Sequence, residues 1–223
     1  MPDLMIMKYI LHIDTSGTSS LVMLAANGVV IASQRNETER EHAGMVNGMI
    51  DHIMQEAGVA LAELSAVAVC SGPGSYTGLR IGLATAKGIC YALDKPLIMQ
   101  DKLSLFAANG TSERIAAVIP ARVGEYFIGI YDKNCRIYFT PTHAFTEEVI
   151  KFVDEYEIQE IVGIANDDLI SILKNTGYKL MTDINPEIWA QKTIEWYDRA
   201  IFQDIATAEP LYLKSVYIHK KTF

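Results

Sequence analysis

The stretch SGPGSYTGLRIG, from Ser71 to Gly82, joins two apolar segments and decides how the chain is interpreted. The segment before it contains AVAVC, which is typical of a buried strand, and the segment after it continues as a helix to about Ala92. Backbone amides at such a strand-to-helix turn are able to receive an anion. The same glycines are equally suited to a tight turn that binds no ligand. The question is which of the two this turn does.

Two common catalytic motifs do not fit this turn. A P-loop requires Lys and then Ser or Thr after its last glycine, whereas here that glycine is followed by Leu79 and Arg80. A nucleophile elbow, GxSxG, is also excluded, because Gly74 directly precedes Ser75. Ser75 is therefore interpreted as a helix cap rather than a nucleophile.

The segments around the turn predict a mixed α/β fold. Three strands, KYILHID, LVMLAA and VVIASQ, precede it, and an Asn27-Gly28 hairpin joins the second to the third. A helix from Glu41 to about Ala57, the strand AVAVC, the helix after the turn and the strand LIMQ complete a βββαβαβ unit.

The second half repeats this order, with strands in IAAVIP, YFIGIY, CRIYF, EIVGIA and YKLM, and a last helix from about Pro186 to Gln203. Two successive βββαβαβ units are the layout of the duplicated actin-like fold of actin, sugar kinases and Hsp70. Loop residues in ANGTSER divide the chain into predicted domains 1–106 and 107–223. A fold of this kind says little about activity.

Composition narrows the classes of function. The chain has 223 residues and a net charge of −8, so it is not expected to hold RNA, DNA or an anionic membrane through its own field. Cys70, Cys90 and Cys135 are odd in number and widely spaced, which argues against a disulfide framework and against a CxxC zinc site. We expect a cytoplasmic protein with no membrane segment and no metal site.

The helix after the glycine turn is apolar nearly all round, and Arg80 and Lys87 are its only charges. Such a helix needs cover on more than one side, either from the neighbouring helix or from a partner chain. The preceding helix offers a second apolar stripe, and its methionines suit an adaptable interface. The predicted partner surface consists of Met45, Met49, Leu79, Arg80, Gly82, Leu83, Ala86 and Lys87. On this prediction, Gly82→Arg abolishes partner binding and leaves the fold intact.

A second set of residues is placed where a nucleotide would lie in an actin-like fold. The set consists of Asp14, Ser16, Gly72, Gly74 and Ser75. Asp14 either orients a magnesium-bound phosphate or caps the DTSG turn, and the cap is the favoured interpretation. No catalytic residue is assigned, because no acid, base and nucleophile are placed together.

Several motifs together resemble one family. They are IDTS after the first strand, REHAGMVNGMID in the first helix, SGPGSYTGLRIGLATAKGICYALDKPLI, ARVGEY and PLYLK. In this order, over nearly the whole chain, they resemble the TsaB family, also called YeaZ, of bacterial proteins that take part in making threonylcarbamoyladenosine in tRNA. The stretch that usually begins Asp-Ala-Arg-Arg in this family here reads Pro120-Ala121-Arg122-Val123.

The resemblance implies a non-catalytic subunit. The related catalytic protein, TsaD, has paired metal-binding histidines, whereas the matching segment here, MQDKLSLFAANG, has none. The chain would dock on TsaD through its two N-terminal helices and support a complex with the ATPase TsaE. It would bind no cofactor stably alone, with ATP or ADP held in the complex, would form a homodimer when alone, and would meet tRNA only through the complex.

The alternative is an ATP-dependent phosphotransferase or hydrolase of the actin-like superfamily. It is motivated by Asp14 and by the phosphate-suitable turn. Such an enzyme needs a second nucleotide loop in the second half, and VGIANDDL is poor in glycine for that purpose.

Overall fold

The computed structural model describes residues 7–37, 42–172 and 177–214. Within these ranges the chain forms two five-stranded sheets with helices packed against them. None of the described helices combines the length and the apolar character needed to cross a bilayer.

The first sheet is built from the first half of the chain. Its elements are β1 (Tyr9–Asp14), β2 (Ser20–Ala26), β3 (Val29–Asn36), α1 (His42–Ala57), a short 3-10 turn (Leu61–Glu63), β4 (Leu64–Gly72), α2 (Tyr76–Leu93), β5 (Leu97–Asp101) and α3 (Lys102–Ala107). The strand order is β3-β2-β1-β4-β5, in which β1, β2 and β3 are antiparallel and β4 and β5 run parallel to β1. Asn27 and Gly28 both have positive φ, as the predicted hairpin requires.

The second sheet repeats this arrangement. Its elements are β6 (Ile115–Arg122), β7 (Glu125–Tyr131), β8 (Ile137–Phe145), α4 (Thr146–Glu155), β9 (Glu160–Gly163), α5 (Asp167–Ile172), β10 (Gly177–Leu180) and α6 (Pro186–Asp198). The strand order β8-β7-β6-β9-β10 follows the same path as the first sheet, with the same parallel and antiparallel pairs. The predicted duplicated α/β fold is confirmed.

Two boundaries differ from the prediction. Helix α6 ends at Asp198 rather than at Gln203, which instead forms a β-bridge with Leu97. Helix α3 was not predicted, although Asp101 is a typical helix cap and its Oδ1 accepts a hydrogen bond from the Ser104 amide at 2.8 Å.

Strand β2 shows why the core has several parts. The strand is buried along its whole length, and alternate residues point to opposite faces. Val22 and Leu24 pack with α1 and α2, whereas Leu21 and Met23 pack in a core shared with α3, the second sheet and α6. The core that contains Leu21 and Met23 joins the two halves of the chain, and Trp189 of α6 lies fully buried within it.

Candidate functional site

The glycine turn connects β4 to α2 and is closed by a helix cap. Ser75 is the N-cap residue, and its Oγ accepts a hydrogen bond from the Gly78 amide at 3.3 Å. This confirms the interpretation of Ser75 as a cap, because its hydroxyl serves one of the unpaired amides of the first helical turn.

The glycines of the turn pack against the chain's own loop after β1. A Cβ atom built on Gly74 would lie 2.3 Å from the Ser16 carbonyl oxygen, and one on Gly78 would lie 1.9 Å from the Thr15 carbonyl oxygen. The Ser75 amide donates to the Ser16 carbonyl at 2.7 Å, and the Thr15 hydroxyl donates to the Gly78 carbonyl at 2.6 Å. The turn therefore makes close backbone contact with the loop after β1, and the amides of Ser75 and Gly78 are hydrogen-bonded within the chain.

Asp14 caps the loop after β1, which confirms the favoured interpretation. Its Oδ1 accepts a hydrogen bond from the Ser16 amide at 2.8 Å. Its Oδ2 accepts one from Lys102 Nζ at 3.1 Å, which the sequence did not suggest. Asp14 is 1% exposed, so its carboxylate is satisfied by the protein itself.

The five residues expected near a nucleotide lie close together: Asp14, Ser16 and Gly72 are buried, Gly74 is half-buried and Ser75 is exposed. Ser16 contacts Gly74 and Ser75, and its hydroxyl accepts a hydrogen bond from Lys102 at 3.3 Å. Gly72 is buried with φ of 114°, and a Cβ atom there would lie 3.0 Å from the Leu211 carbonyl oxygen. These contacts fill the inner side of the turn with protein atoms, whereas Pro73, Gly74 and Ser75 on its outer side line a cavity of about 390 Å³.

The predicted partner surface is wrong for five of its eight residues, because their side chains face the core. Met49, Leu79, Gly82, Leu83 and Ala86 are all buried. A Cβ atom on Gly82 would lie 2.6 Å from the Thr15 hydroxyl oxygen, so this face of α2 lies on the first sheet. Helical spacing predicts stripes, but on a helix that is apolar nearly all round it does not say which stripe is inside. Gly82→Arg would therefore disrupt the core instead of testing an interface.

The opposite faces of α1 and α2 are the exposed ones, and we call them together the outer helix surface. Its members are Gly44, Met45, Gly48 and His52 of α1, with Ala84, Gly88 and Tyr91 of α2. Both helices pack on the same face of the first sheet and contact each other. A Cβ atom on any of the three glycines would meet nothing within 4 Å, and Tyr91 is 85% exposed. The surface is therefore open, low in relief and carries one large aromatic side chain.

The two predicted basic residues border this surface. Arg80 is exposed and Lys87 is half-buried. The Arg80 guanidinium lies 4.0 Å from the centre of the Tyr76 ring, and its Nε donates to the Tyr212 hydroxyl at 3.0 Å. The hydrogen bond to Tyr212 is the main cause that raises the pKa of Arg80. Arg80 thus joins α2 to the C-terminal segment.

Among the described residues, no group of three or more His, Cys, Asp or Glu side chains is arranged to hold a metal ion. The fold and the site thus define a duplicated actin-like α/β protein in which the glycine turn is packed against its own chain, beside an open pair of helices.

The comparisons with known proteins specify the family. The family model described as TsaD: tRNA N6-adenosine threonylcarbamoyltransferase matches residues 28–193. The tRNA threonylcarbamoyladenosine biosynthesis protein TsaB of Haemophilus influenzae is 30% identical over 175 residues, which cover 76% of this chain and 72% of that protein. The chain belongs to the TsaB family, also called YeaZ.

A second sequence relative agrees with this assignment, and a solved structure shares the fold. TsaB of Bacillus subtilis is 33% identical over 124 residues, and this match spans 55% of the chain and about half, 54%, of the relative's length. The solved structure of YeaZ from Pseudomonas aeruginosa has a TM-score of 0.75 at 24% identity, and the match covers 93% of this chain and 100% of that one. The structural match concerns the fold alone.

Proposed function

We propose that the chain is a non-catalytic subunit of the complex that transfers the threonylcarbamoyl group to the adenosine beside the tRNA anticodon. It docks on a TsaD-like catalytic subunit through the outer helix surface and supports assembly with a TsaE-like ATPase. The observation that carries this proposal is the open surface of α1 and α2, in a member of a family named for threonylcarbamoyladenosine biosynthesis.

The composition of the outer helix surface suits helix-to-helix docking. Gly44 and Gly48 lie one turn apart on α1, and Ala84 and Gly88 lie one turn apart on α2. Small residues let a partner helix approach closely, and an exposed tyrosine such as Tyr91 is a frequent source of interface binding energy. The corrected interface therefore keeps Met45, with Arg80 and Lys87 on its border, and replaces the buried members with these outward-facing residues.

The contacts of Asp14 support the proposal that the isolated chain does not bind a nucleotide. Its carboxylate is neutralised by the Lys102 ammonium, so it attracts Mg²⁺ less than a free carboxylate would. We infer that the isolated chain binds no cofactor stably and that ATP or ADP enters only with the assembled complex.

Three further proposals concern self-association, contact with tRNA and cellular location. Without its partner, the outer helix surface is free to pair with a second copy, so we propose a homodimer for the isolated chain. With a net charge of −8, the chain meets tRNA only through the complex. The three free cysteines agree with a reducing compartment, and we propose a cytoplasmic location.

Placing arginine on the outer helix surface should abolish docking. Gly88→Arg and Gly48→Arg each add a long charged side chain where the free protein has open space, so the fold should persist. We expect the Kd for the TsaD-like protein to rise at least about a hundredfold, as for loss of an interface hot spot. Light scattering after size exclusion measures the loss of the complex.

The matched control is Val123→Arg, which adds the same charge at a position that is 96% exposed in the second half. It should leave the complex with the TsaD-like protein intact. If the Gly88 and Gly48 variants form the complex as well as the original chain does, docking occurs elsewhere and the proposed interface is wrong.

Nucleotide binding separates the proposal from the alternative of an ATP-dependent phosphotransferase or hydrolase. Isothermal titration of the isolated chain with magnesium ATP should give no binding tighter than about 1 mM, a standard free energy near −4 kcal/mol. Micromolar binding would favour the enzyme and would show that the contacts around Asp14 rearrange to admit the nucleotide.

A further inference from the structure

A fully buried lysine joins the two halves of the chain. Lys102 is the first residue of α3 and is 3% exposed, although lysine is almost never buried unless it is paired. Its ammonium has three N–H donors and three acceptors within reach. They are Asp14 Oδ2 at 3.1 Å, Ser16 Oγ at 3.3 Å and Asp183 Oδ1 at 3.2 Å.

These acceptors come from distant parts of the chain. Asp14 ends β1 in the first sheet, whereas Asp183 lies in the segment that leads from β10 of the second sheet to α6. Asp183 also accepts hydrogen bonds from the Ser19 hydroxyl, at 2.7 Å, and from Arg35. Two carboxylates thus meet two cations, and Asp183 is the member of this cluster from the second half.

The surroundings of Lys102 and Asp183 favour the charged form of each. Burial by itself lowers the pKa of Lys102, but Asp14 and Asp183 outweigh burial, so the pKa is raised above its ordinary value. Burial by itself raises the pKa of Asp183, but Lys102, Ser19 and Arg35 outweigh it, and the pKa is lowered. In such a buried cluster, removal of one charge leaves another without compensation, which is costly.

We propose that Lys102 is a latch that holds the two halves of the chain together at this junction, and that loss of its charge opens the junction while the first sheet stays folded. The contact is independent of the outer helix surface, so the latch does not depend on the proposed partner.

Two buried cysteines distinguish opening of the junction from unfolding of the chain. Cys70 lies next to the Lys102 cluster, with its Sγ 3.6 Å from Ser16 Oγ, in the core that joins the two halves. Cys90 lies in the other core, between the first sheet and its helices, and has no exposed surface. Opening of the junction exposes Cys70 alone, whereas unfolding exposes both cysteines.

Lys102→Met removes the charge and keeps most of the side-chain volume. The full chain is labelled with N-ethylmaleimide under native conditions, and the modified cysteines are identified by peptide mass spectrometry. We expect Cys70 to react at least about tenfold faster than in the original chain, with the rate at Cys90 unchanged. Faster reaction would not be a chemical effect of the substitution. Burial raises the pKa of the Cys70 thiol and Lys102 opposes this rise, so loss of the lysine makes the thiol less reactive.

Lys133→Met is the control, because Lys133 pairs with Glu113 at the exposed surface. It should change neither rate. Equal acceleration at Cys70 and Cys90 in Lys102→Met would mean global unfolding, and unchanged rates would mean that the junction does not open; either result overturns the latch. If Lys102→Met fails to fold, Asp183→Asn removes only the second-half anchor, and selective labelling of Cys70 is again required.

Discussion

Gly78→Ala is expected to lower the free energy of unfolding by about 3 kcal/mol or more, or to prevent folding. The added methyl group would lie 1.9 Å from the Thr15 carbonyl oxygen, which is backbone and has little freedom to move. Relief of this clash requires the glycine turn and the loop after β1 to separate, and this loses the hydrogen bond from the Thr15 hydroxyl to the Gly78 carbonyl. Urea denaturation followed by circular dichroism measures the change.

The matched control lies on the same helix. Gly88→Ala places a methyl group in open space, so it should raise the free energy of unfolding by up to about 1 kcal/mol through helix propensity. If Gly78→Ala is as stable as Gly88→Ala, the turn does not pack closely against the loop, and the space around it is available to a ligand.

Acid should destabilise the chain through His12, by about 2 kcal/mol between pH 8 and pH 5. His12 is fully buried in β1, with its ring 5.0 Å from the Trp189 ring, and burial lowers its pKa to about 3. Its Nδ1 lies 3.1 Å from the Ile10 carbonyl oxygen, and within the described part of the chain its Nε2 has no hydrogen-bond partner. The folded state therefore disfavours the protonated ring.

The direction of this pH dependence of stability follows from proton binding to His12. Below pH 6.5 the unfolded chain protonates His12 and the folded chain does not, so stability is greatest above pH 6.5 and falls as the pH falls toward 3. His12→Leu should remove this part of the pH dependence, whereas substitution of the exposed His52 with glutamine should leave it unchanged. Denaturation midpoints across pH 5 to 8 test this; an equal pH dependence in His12→Leu and the original chain would show that His12 is not the cause.

Local signals in the sequence were sufficient to predict the order of the strands and of the described α-helices other than α3. The positive φ angles at Asn27-Gly28 and the hydroxyl cap at Ser75 depend on residues within one turn of each other. The repeated sequence of strands and helices along the chain follows from residue alternation and helical spacing, which also act over short distances.

Contacts between distant residues were not predictable in this way. Lys102 and Asp183 are far apart in the sequence, and neither has a neighbour that indicates an ion pair. The burial of Met49 was missed for a related reason, because which face of α1 lies on the sheet is decided by the packed neighbours. The outward stripe of Ala84 and Gly88 has the same spacing as the inward one, so only exposure distinguishes them.

Reconstituted tRNA modification tests the proposed role most directly. The TsaD-like and TsaE-like proteins from the same cell are supplied with tRNA, ATP and the threonylcarbamoyl donor, with and without this chain, and threonylcarbamoyladenosine is measured by mass spectrometry of the digested tRNA. We predict product only when the chain is present, and loss of product when Gly88→Arg replaces it. An equal yield of the modified adenosine without the chain would contradict its role as a required subunit.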